Sequence, residues 1–426
     1  VFQSKHPAQK NILKKCVMLP KHSASNPKKG ISSMTETQGT IQAQLDALPN
    51  DDNWAIAAVE LILQSAEQSG CSDVHVLMRP DLATVRGRRH GALFLIGRIP
   101  VERQDMLMAR FKVMARLSAF VRQTPQDGRI ERGVDGNGRS AVLRVSFLPT
   151  IHGESLVVRF PHEDAEELPL ENLGMPQPVL AKADQLLARQ EGMIVVTGPT
   201  SSGKTTTLYA MIRRLHDRHG DRLNFVTIED PVERDLRFAS QVQVNEAQDL
   251  TFERALRSAL RHGPNVLLIG EIRDAQTALI AAQAGMSGGV VLTSLHAGRA
   301  SRVPMRLLSM GLPPYLVASA LSGCIAQRLA RVLCAKCRRK VGEGRFESEG
   351  CEACARTGIS GRIGLFEIVA NDERLREMIL ERSTPNQISE YARQLQVGDL
   401  SVQARELANE GVISADEAEL VLALEE

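Results

Sequence analysis

Hydrophobic and polar positions change rhythm several times along the 426 residues. From Trp54 to Ala66 apolar side chains recur at helical spacing, and SGCSDVHVLMRP (69–80) then predicts a turn into a strand. A second helical stretch, DMLMARFKVMARL (105–117), precedes two alternating segments, SAVLRVSFLPT (140–150) and ESLVVRF (154–160). Together these predict a small mixed α/β domain over residues 54–162. The Pro-rich and acidic stretch that follows predicts a hinge at 163–175. Four short apolar runs come next: MIVVTG, LNFVTIED, NVLLIGE and VVLTSLH. Helical stretches of about ten or more residues separate them, the pattern of right-handed β-α-β units and a parallel sheet, here over 176–330. From Asn371 onward helical periodicity and charge predict a small helical subdomain, within 363–426. Residues 35–50, TETQGTIQAQLDALPN, are polar and turn-rich and read as a linker. No internal repeat is present.

Composition narrows this little: 43% hydrophobic and 24% charged residues describe an ordinary globular chain. Lys and Arg total 52 against 50 Asp and Glu, so bulk charge gives no case for a nucleic-acid partner. No apolar run reaches the roughly 18 residues that span a bilayer, so membrane contact is expected only through a partner or a surface. Residues 1–33 hold seven lysines and no acidic residue. They lack the apolar core of a signal peptide and read as a basic tail, or as sequence translated ahead of Met34. Residues 1–53 are thus expected to be a disordered basic tail and linker.

GPTSSGKT (198–205) matches the phosphate-loop pattern in full, between a predicted strand and a predicted helix. Gly198 and Gly203 let backbone N–H groups close around phosphates, with Pro199, Thr200, Ser201 and Ser202 between them. Lys204 brings a full charge to the β- and γ-phosphates, Thr205 offers a hydroxyl to Mg²⁺, and Thr206 continues the helix start. A nucleoside triphosphate is the expected ligand. NVLLIGEIRD (265–274) raises a question beside this loop. The strand end that carries a metal-binding aspartate in many nucleotide hydrolases holds Gly270, with Glu271 after it. Glu271 is the candidate for orienting the attacking water; a solvated strand-end carboxylate is the alternative. Glu229 and Asp230 close another apolar run, in TIEDPVE, where ligands bind in such sheets; a surface turn at Pro231 is the plain alternative. His296 ends VVLTSLH.

Cys334, Cys337, Cys351 and Cys354 form CAKC and CEAC, 13 residues apart. Two CxxC turns supply four thiolates for a closed tetrahedral Zn²⁺ site, structural rather than catalytic. A redox pair or an Fe–S cluster is the alternative. Cys16, Cys71 and Cys324 stand alone and read as inert thiols.

TIEDPVE, LLIGEIRD, VVLTSLHAG, RLLSMG and GISGRIGLFEIV follow one another in the order seen in the bacterial type II secretion and type IV pilus assembly ATPases. SDVHV, PQDGRI and RVSFLPTIHGESLVVRF extend this resemblance upstream, over about residues 54–426. The resemblance implies a small PAS-like N-terminal α/β domain, a RecA-like ATPase core, a zinc knuckle at 331–362 packing beside that core, and C-terminal helices. It implies a homo-hexamer in the cytoplasm, peripheral to the inner membrane through a platform protein, with no nucleic acid involved. ATP hydrolysis would change the relative rotation of two domains and move pilin subunits. Glu229 would be the acid near Mg²⁺ and water, and His296 would sense the γ-phosphate. Arg144 and Arg159 would reach the phosphates from the N-terminal domain; Arg257 and Arg261 are weaker candidates for the same task. The usual Gly-Glu strand end makes Gly270 a normal feature that leaves room beside the γ-phosphate.

The chain departs from the resembled pattern at His262–Asn265, His90, Gln276, Gly289 and in LHAG, and its cysteine spacer is short. A large N-terminal docking domain, common in assembly members, is also expected to be missing. Any impairment of hydrolysis is expected at His262–Asn265 and Gln276. The competing readings are a pilus-retraction motor, an ATPase of conjugation or type IV secretion, and a nucleotide-binding regulatory subunit that hydrolyses little. The tetracysteine element argues for assembly over retraction.

Overall fold

The computed structural model describes residues 36–51, 53–134, 140–160, 169–381 and 383–423. The basic tail and residues 163–168 of the expected hinge lie outside these residues. The described residues form two compact units, one within 36–160 and 331–361, the other within 169–330 and 362–423.

In the first unit, α2 (Trp54–Gln68) and α3 (Val101–Met114) cover one face of a six-stranded antiparallel sheet, β3-β2-β1-β6-β5-β4. The strands are β1 (Asp73–Leu77), β2 (Leu82–Arg89), β3 (Ala92–Pro100), β4 (Gln126–Val134), β5 (Ser140–Thr150) and β6 (Gly153–Arg159). Alternation decides the faces: Leu156 and Val158 of β6 and Leu143, Val145 and Phe147 of β5 enter the core with Trp54, Ile62 and Phe111. α3 starts at Val101, just after Pro100, four residues before the expected start. Residues 35–50, expected as a linker, instead contain helix α1 (Glu36–Ala47). The reason is its two apolar residues one turn apart, Ile41 and Leu45, which are buried in this core. The Gln42 side chain completes the docking, accepting from Arg98 N and donating to Arg98 O at the free edge of β3.

Residues 331–361 belong to this unit. Arg331 reaches the β2–β3 turn, its Cδ 4.0 Å from where a Cβ on Gly91 would stand.

The second unit holds a seven-stranded sheet, β15-β12-β7-β11-β10-β8-β9. Its strands are β7 (Gly192–Thr197), β8 (Phe225–Glu229), β9 (Ser240–Gln243), β10 (Val266–Ile269), β11 (Val290–Leu295), β12 (Leu321–Leu333) and β15 (Ile359–Ala370). β12 through β9 run parallel. The four predicted apolar runs are β7, β8, β10 and β11, and every residue in them is buried. Such runs need cover on both faces. Met193 and Val195 join one core with α6 (Phe252–Leu260), α7 (Ala275–Gly285), α8 (Val303–Ser309) and α9 (Pro314–Ala320). Ile194 and Val196 join the other, with α4 (Gln177–Leu187) and α5 (Lys204–His219). The charged tail forms α10 (Glu373–Leu380), α11 (Pro385–Gln394), α12 (Leu400–Asn409) and α13 (Ala415–Ala423). Asp372, Thr384 and Asp399 cap the first three.

Candidate functional site

β7 ends at Thr197 and passes directly into the glycine loop, and α5 starts at Lys204. Gly198 and Gly203 have φ of 153° and 88°, and Ser201 takes a left-handed φ of 62°. Glycine is also required for space. A Cβ at Gly203 would stand 2.7 Å from Gln327 Nε2, and one at Gly198 would collide with the Gln327 carbonyl oxygen. No side chain caps the start of α5, so its first N–H groups are left for an anion. Ser202 Oγ is buried without a hydrogen bond, a second polar group awaiting a partner. Pro199, Thr200 and Ser201 form the more open lip, and Thr205 and Thr206 lie half-buried on the first turn of α5. The Lys204 ammonium donates to the Gly198 and Pro199 carbonyls at 3.1 and 3.0 Å. Burial lowers its pKa; the Glu271 carboxylate offsets this in part, and the Arg328 guanidinium adds to it. The loop, helix end and ammonium fit a nucleotide's phosphate chain with Mg²⁺.

β8, β10 and β11 end side by side next to this loop, which gathers the acidic groups and the histidine. One oxygen of Glu271 faces His296 Nε2 at 3.5 Å, and the other is held by Arg273. Arg273 also approaches Asp230, at 3.6 Å. Glu229 is 2% exposed, and both its oxygens are engaged. Thr227 Oγ1 and Gln241 Nε2 donate to one, at 2.5 and 3.1 Å, and the Tyr209 hydroxyl donates to the other. Burial and the bonded carboxylate raise the Tyr209 pKa, so the phenol keeps its proton. At Gly270 an added Cβ would meet the Ile228 carbonyl at 3.5 Å, an ordinary contact, so the backbone here tolerates alanine.

Arg144 and Arg159 belong to the other compact unit, directly opposite each other on β5 and β6. Arg159 Nε donates to Asp73 Oδ1 at 2.9 Å, and Arg144 is exposed. Arg257 and Arg261 are taken up locally on α6, by Glu253 and by the Arg257 carbonyl respectively.

The four clustered cysteines meet as two turns joined by the hairpin β13 (Arg338–Gly342) and β14 (Arg345–Ser348). Their sulfurs all lie within 4.8 Å of one another, with separations of 3.8 and 3.9 Å along three edges. A tetrahedron with metal–sulfur bonds of about 2.3 Å has edges of about 3.8 Å, so the donor set fits Zn²⁺. N–H groups of Cys351 and Gly358 point at the Cys354 sulfur, at 3.1 and 3.2 Å. Burial pushes the Cys354 pKa up, but these hydrogen bonds outweigh it and bring it down to about 7, toward the thiolate a metal needs. The lone Cys71 and Cys324 are buried, and burial pushes both thiols up, Cys71 to about 12.

A doubly covered parallel sheet with a phosphate loop at the end of β7, and acids at the ends of β8 and β10, defines a RecA-like P-loop nucleotide-binding protein. The chain belongs to the Type II/IV secretion system protein family, which it matches over residues 49–420. It is 42% identical over 338 residues to the type II secretion system protein HxcR of Pseudomonas aeruginosa, covering 79% of this chain and 71% of that one. To the type IV pilus assembly ATPase TfpB of Acinetobacter baylyi it is 35% identical, over 88% of this chain and 66% of the relative. The X-ray structure of the Legionella pneumophila ATPase DotB shares the fold, with a TM-score of 0.62 at 21% identity over 86% of this chain and 95% of DotB. Among the described residues no helix is long and apolar enough to cross a membrane.

Tyr209, Gln241, Arg273, Gln327 and Arg328 surround the site yet lie outside the residues singled out from sequence. Only Arg273 carried a signal, sitting two residues after Glu271 in the same motif.

Proposed function

We propose that this chain is a cytoplasmic ATPase of a type II secretion or type IV pilus assembly machine. It would work as a homo-hexamer beneath an inner-membrane platform protein and convert ATP hydrolysis into domain rotation that moves pilin subunits. One observation carries the hydrolytic part: Lys204 and the uncapped start of α5 face Glu271, itself paired with His296, at the ends of adjacent parallel strands. Mg²⁺, when bound, neutralises phosphate charge. The residues do the rest. Lys204, the loop N–H groups and Thr205 hold the phosphates and the ion. Glu271 orients a water and accepts its proton, with His296 and Arg273 fixing the carboxylate. Glu229 supports the Mg²⁺ side of the site, and Arg144 and Arg159 supply further positive charge to the phosphates. The tetracysteine segment holds structural Zn²⁺ and favours assembly over retraction.

The test is Mg²⁺-dependent phosphate release by purified full-length chain beside Glu271→Gln. Wild type turns over, and the variant loses at least about 100-fold in kcat while still binding nucleotide. A wild type that binds nucleotide but releases no phosphate overturns the motor and leaves a regulatory subunit.

A further inference from the structure

We propose that Gln327 and Arg328, on β12, are positioning residues that hold the phosphate loop and the histidine loop in a common register. β12 lies beside β7 and parallel to it, with Ala326 opposite Thr197. The next two residues of β12 therefore stand behind the point where the phosphate loop leaves the sheet. Gln327 is 2% exposed and uses both ends of its amide. Its Oε1 accepts from the fully buried Thr207 hydroxyl on α5 at 2.6 Å, and its Nε2 fills the space a side chain at Gly203 would need. Its backbone carbonyl fills the corresponding space at Gly198. The two glycines of the loop thus face one residue of the neighbouring strand, and the loop's path follows the Gln327 surface.

Arg328 does the same for the second loop. Its guanidinium donates to the Gln327 carbonyl at 3.0 Å and to the Gly298 carbonyl at 2.5 Å, two residues after His296. A separate tie lies at Thr197, whose hydroxyl accepts from Ala297 N at 2.8 Å and shares its proton between the Leu295 carbonyl at the end of β11 and the Ala297 carbonyl. The two loops are therefore linked through β7 and again through β12. A guanidinium 2% exposed is an expensive strand residue, and a well-packed apolar side chain serves stability at least as well. What Arg328 adds is directed bonding to loop carbonyls and positive charge behind Lys204, where a phosphate chain would bring the compensating anion.

The proposal rests on nucleotide binding at the phosphate loop, so binding and turnover are measured separately. Full-length wild type, Gln327→Leu, Thr207→Val and Arg328→Lys are titrated with a fluorescent ADP analogue and assayed for phosphate release. Thr207→Val removes only the hydroxyl that bonds Gln327, so it serves if Gln327→Leu fails to fold. Thr207→Val and Gln327→Leu are each expected to weaken nucleotide binding about tenfold, with the double variant losing less than the two single losses combined, because they share one hydrogen bond. Arg328→Lys keeps the charge but loses the bridging fork; it is expected to bind nucleotide within about threefold of wild type and to lose about tenfold in kcat. Folded variants whose Kd, KM and kcat all stay within twofold of wild type overturn the positioning role alone. A wild type that binds no nucleotide overturns the site's reading instead.

Discussion

Glu229 and Glu271 end neighbouring strands, yet their surroundings are opposite. Glu271 is partly open to solvent, between a histidine and an arginine. Glu229 is enclosed by three neutral donors, Tyr209, Thr227 and Gln241, and a buried carboxylate so satisfied is a rigid part of the core. To contact Mg²⁺ or its water it must give up or share one of those bonds. The two therefore separate under the same substitution. Glu229→Gln sets an NH₂ group against hydroxyl and amide donors and is expected to cost about 1–3 kcal/mol of stability. Glu271→Gln is expected to leave the denaturation midpoint within error while abolishing turnover. Urea titrations of both variants, with phosphate-release assays, check the contrast. Glu271, His296 and the phosphate loop were legible in the sequence because each sits inside a contiguous motif at a strand end. Tyr209 and Gln241 were not, because they reach Glu229 from an adjoining helix and an edge strand that no local pattern marks.

At the level of elements, pairing in the first unit makes a charged rung across the sheet face away from α2 and α3. Arg88, Asp73, Arg159, Arg144 and Arg129 stand opposite one another on β2, β1, β6, β5 and β4. Like charges directly opposite are destabilising, and Asp73 serves both Arg159 and Arg88, at 2.9 and 3.8 Å. Burial pushes the Asp73 pKa up, but hydrogen bonds from Arg159 and Ser72, with the Arg159 charge, hold it below the ordinary value. The folded pKa is depressed, so this stabilisation is present above the ordinary aspartate pKa of about 3.9 and fades as pH falls through the folded value. Between pH 5 and pH 3 wild type is expected to lose more stability than Asp73→Asn; equal losses in urea melts at the two pH values would count against it. The cysteine element makes a second element-scale prediction. The sulfur spacing calls for about one zinc per chain by metal analysis of reduced, tag-free protein, with Cys334→Ser losing most of it. The two CxxC pairs were readable from their spacing alone. β12 was hidden for the opposite reason: Ala326, Gln327, Leu329 and Ala330 are helix-favouring residues, and only its place in the sheet, between β15 and β7, makes that segment a strand.

Within the second unit, two of the departures from the resembled pattern, His262–Asn265 and Gly289, lie at one end of the sheet, while Gln276 and LHAG lie at the other. His262–Asn265 precede β10 and Gly289 precedes β11, whereas the phosphate loop and Glu271 follow strand ends, a strand length of about 13 Å away. The unusual residues are also partners. Asn265 Oδ1 accepts from Asn224 N at 2.9 Å, the Asn224 amide donates to the His262 carbonyl at 2.8 Å, and Val290 N donates to the Asn265 carbonyl at 2.9 Å. A Cβ at Gly289 would stand 3.1 Å from the Pro264 carbonyl oxygen, so the small residue at 289 and the path of the 262–265 loop suit each other. In LHAG, Ala297 and Gly298 act through backbone atoms, which other side chains would preserve. Impaired hydrolysis is expected from sequence at His262–Asn265 and Gln276; the position of His262–Asn265 favours a structural effect there, while Gln276 keeps its place at the nucleotide end of the sheet. Gly289→His is expected to destabilise by about 1–3 kcal/mol through overpacking against Pro264, with kcat within about threefold of wild type. Placing Gln-Asp-Pro-Asp at 262–265 as well is expected to give a combined cost different from the sum of the two changes, because the two segments are in contact. Denaturant melts and phosphate release on the single and combined variants read both quantities. A large fall in kcat without loss of stability would return these positions to the chemistry; the predicted pattern makes them coupled structural positions at the end of the sheet remote from the nucleotide loops.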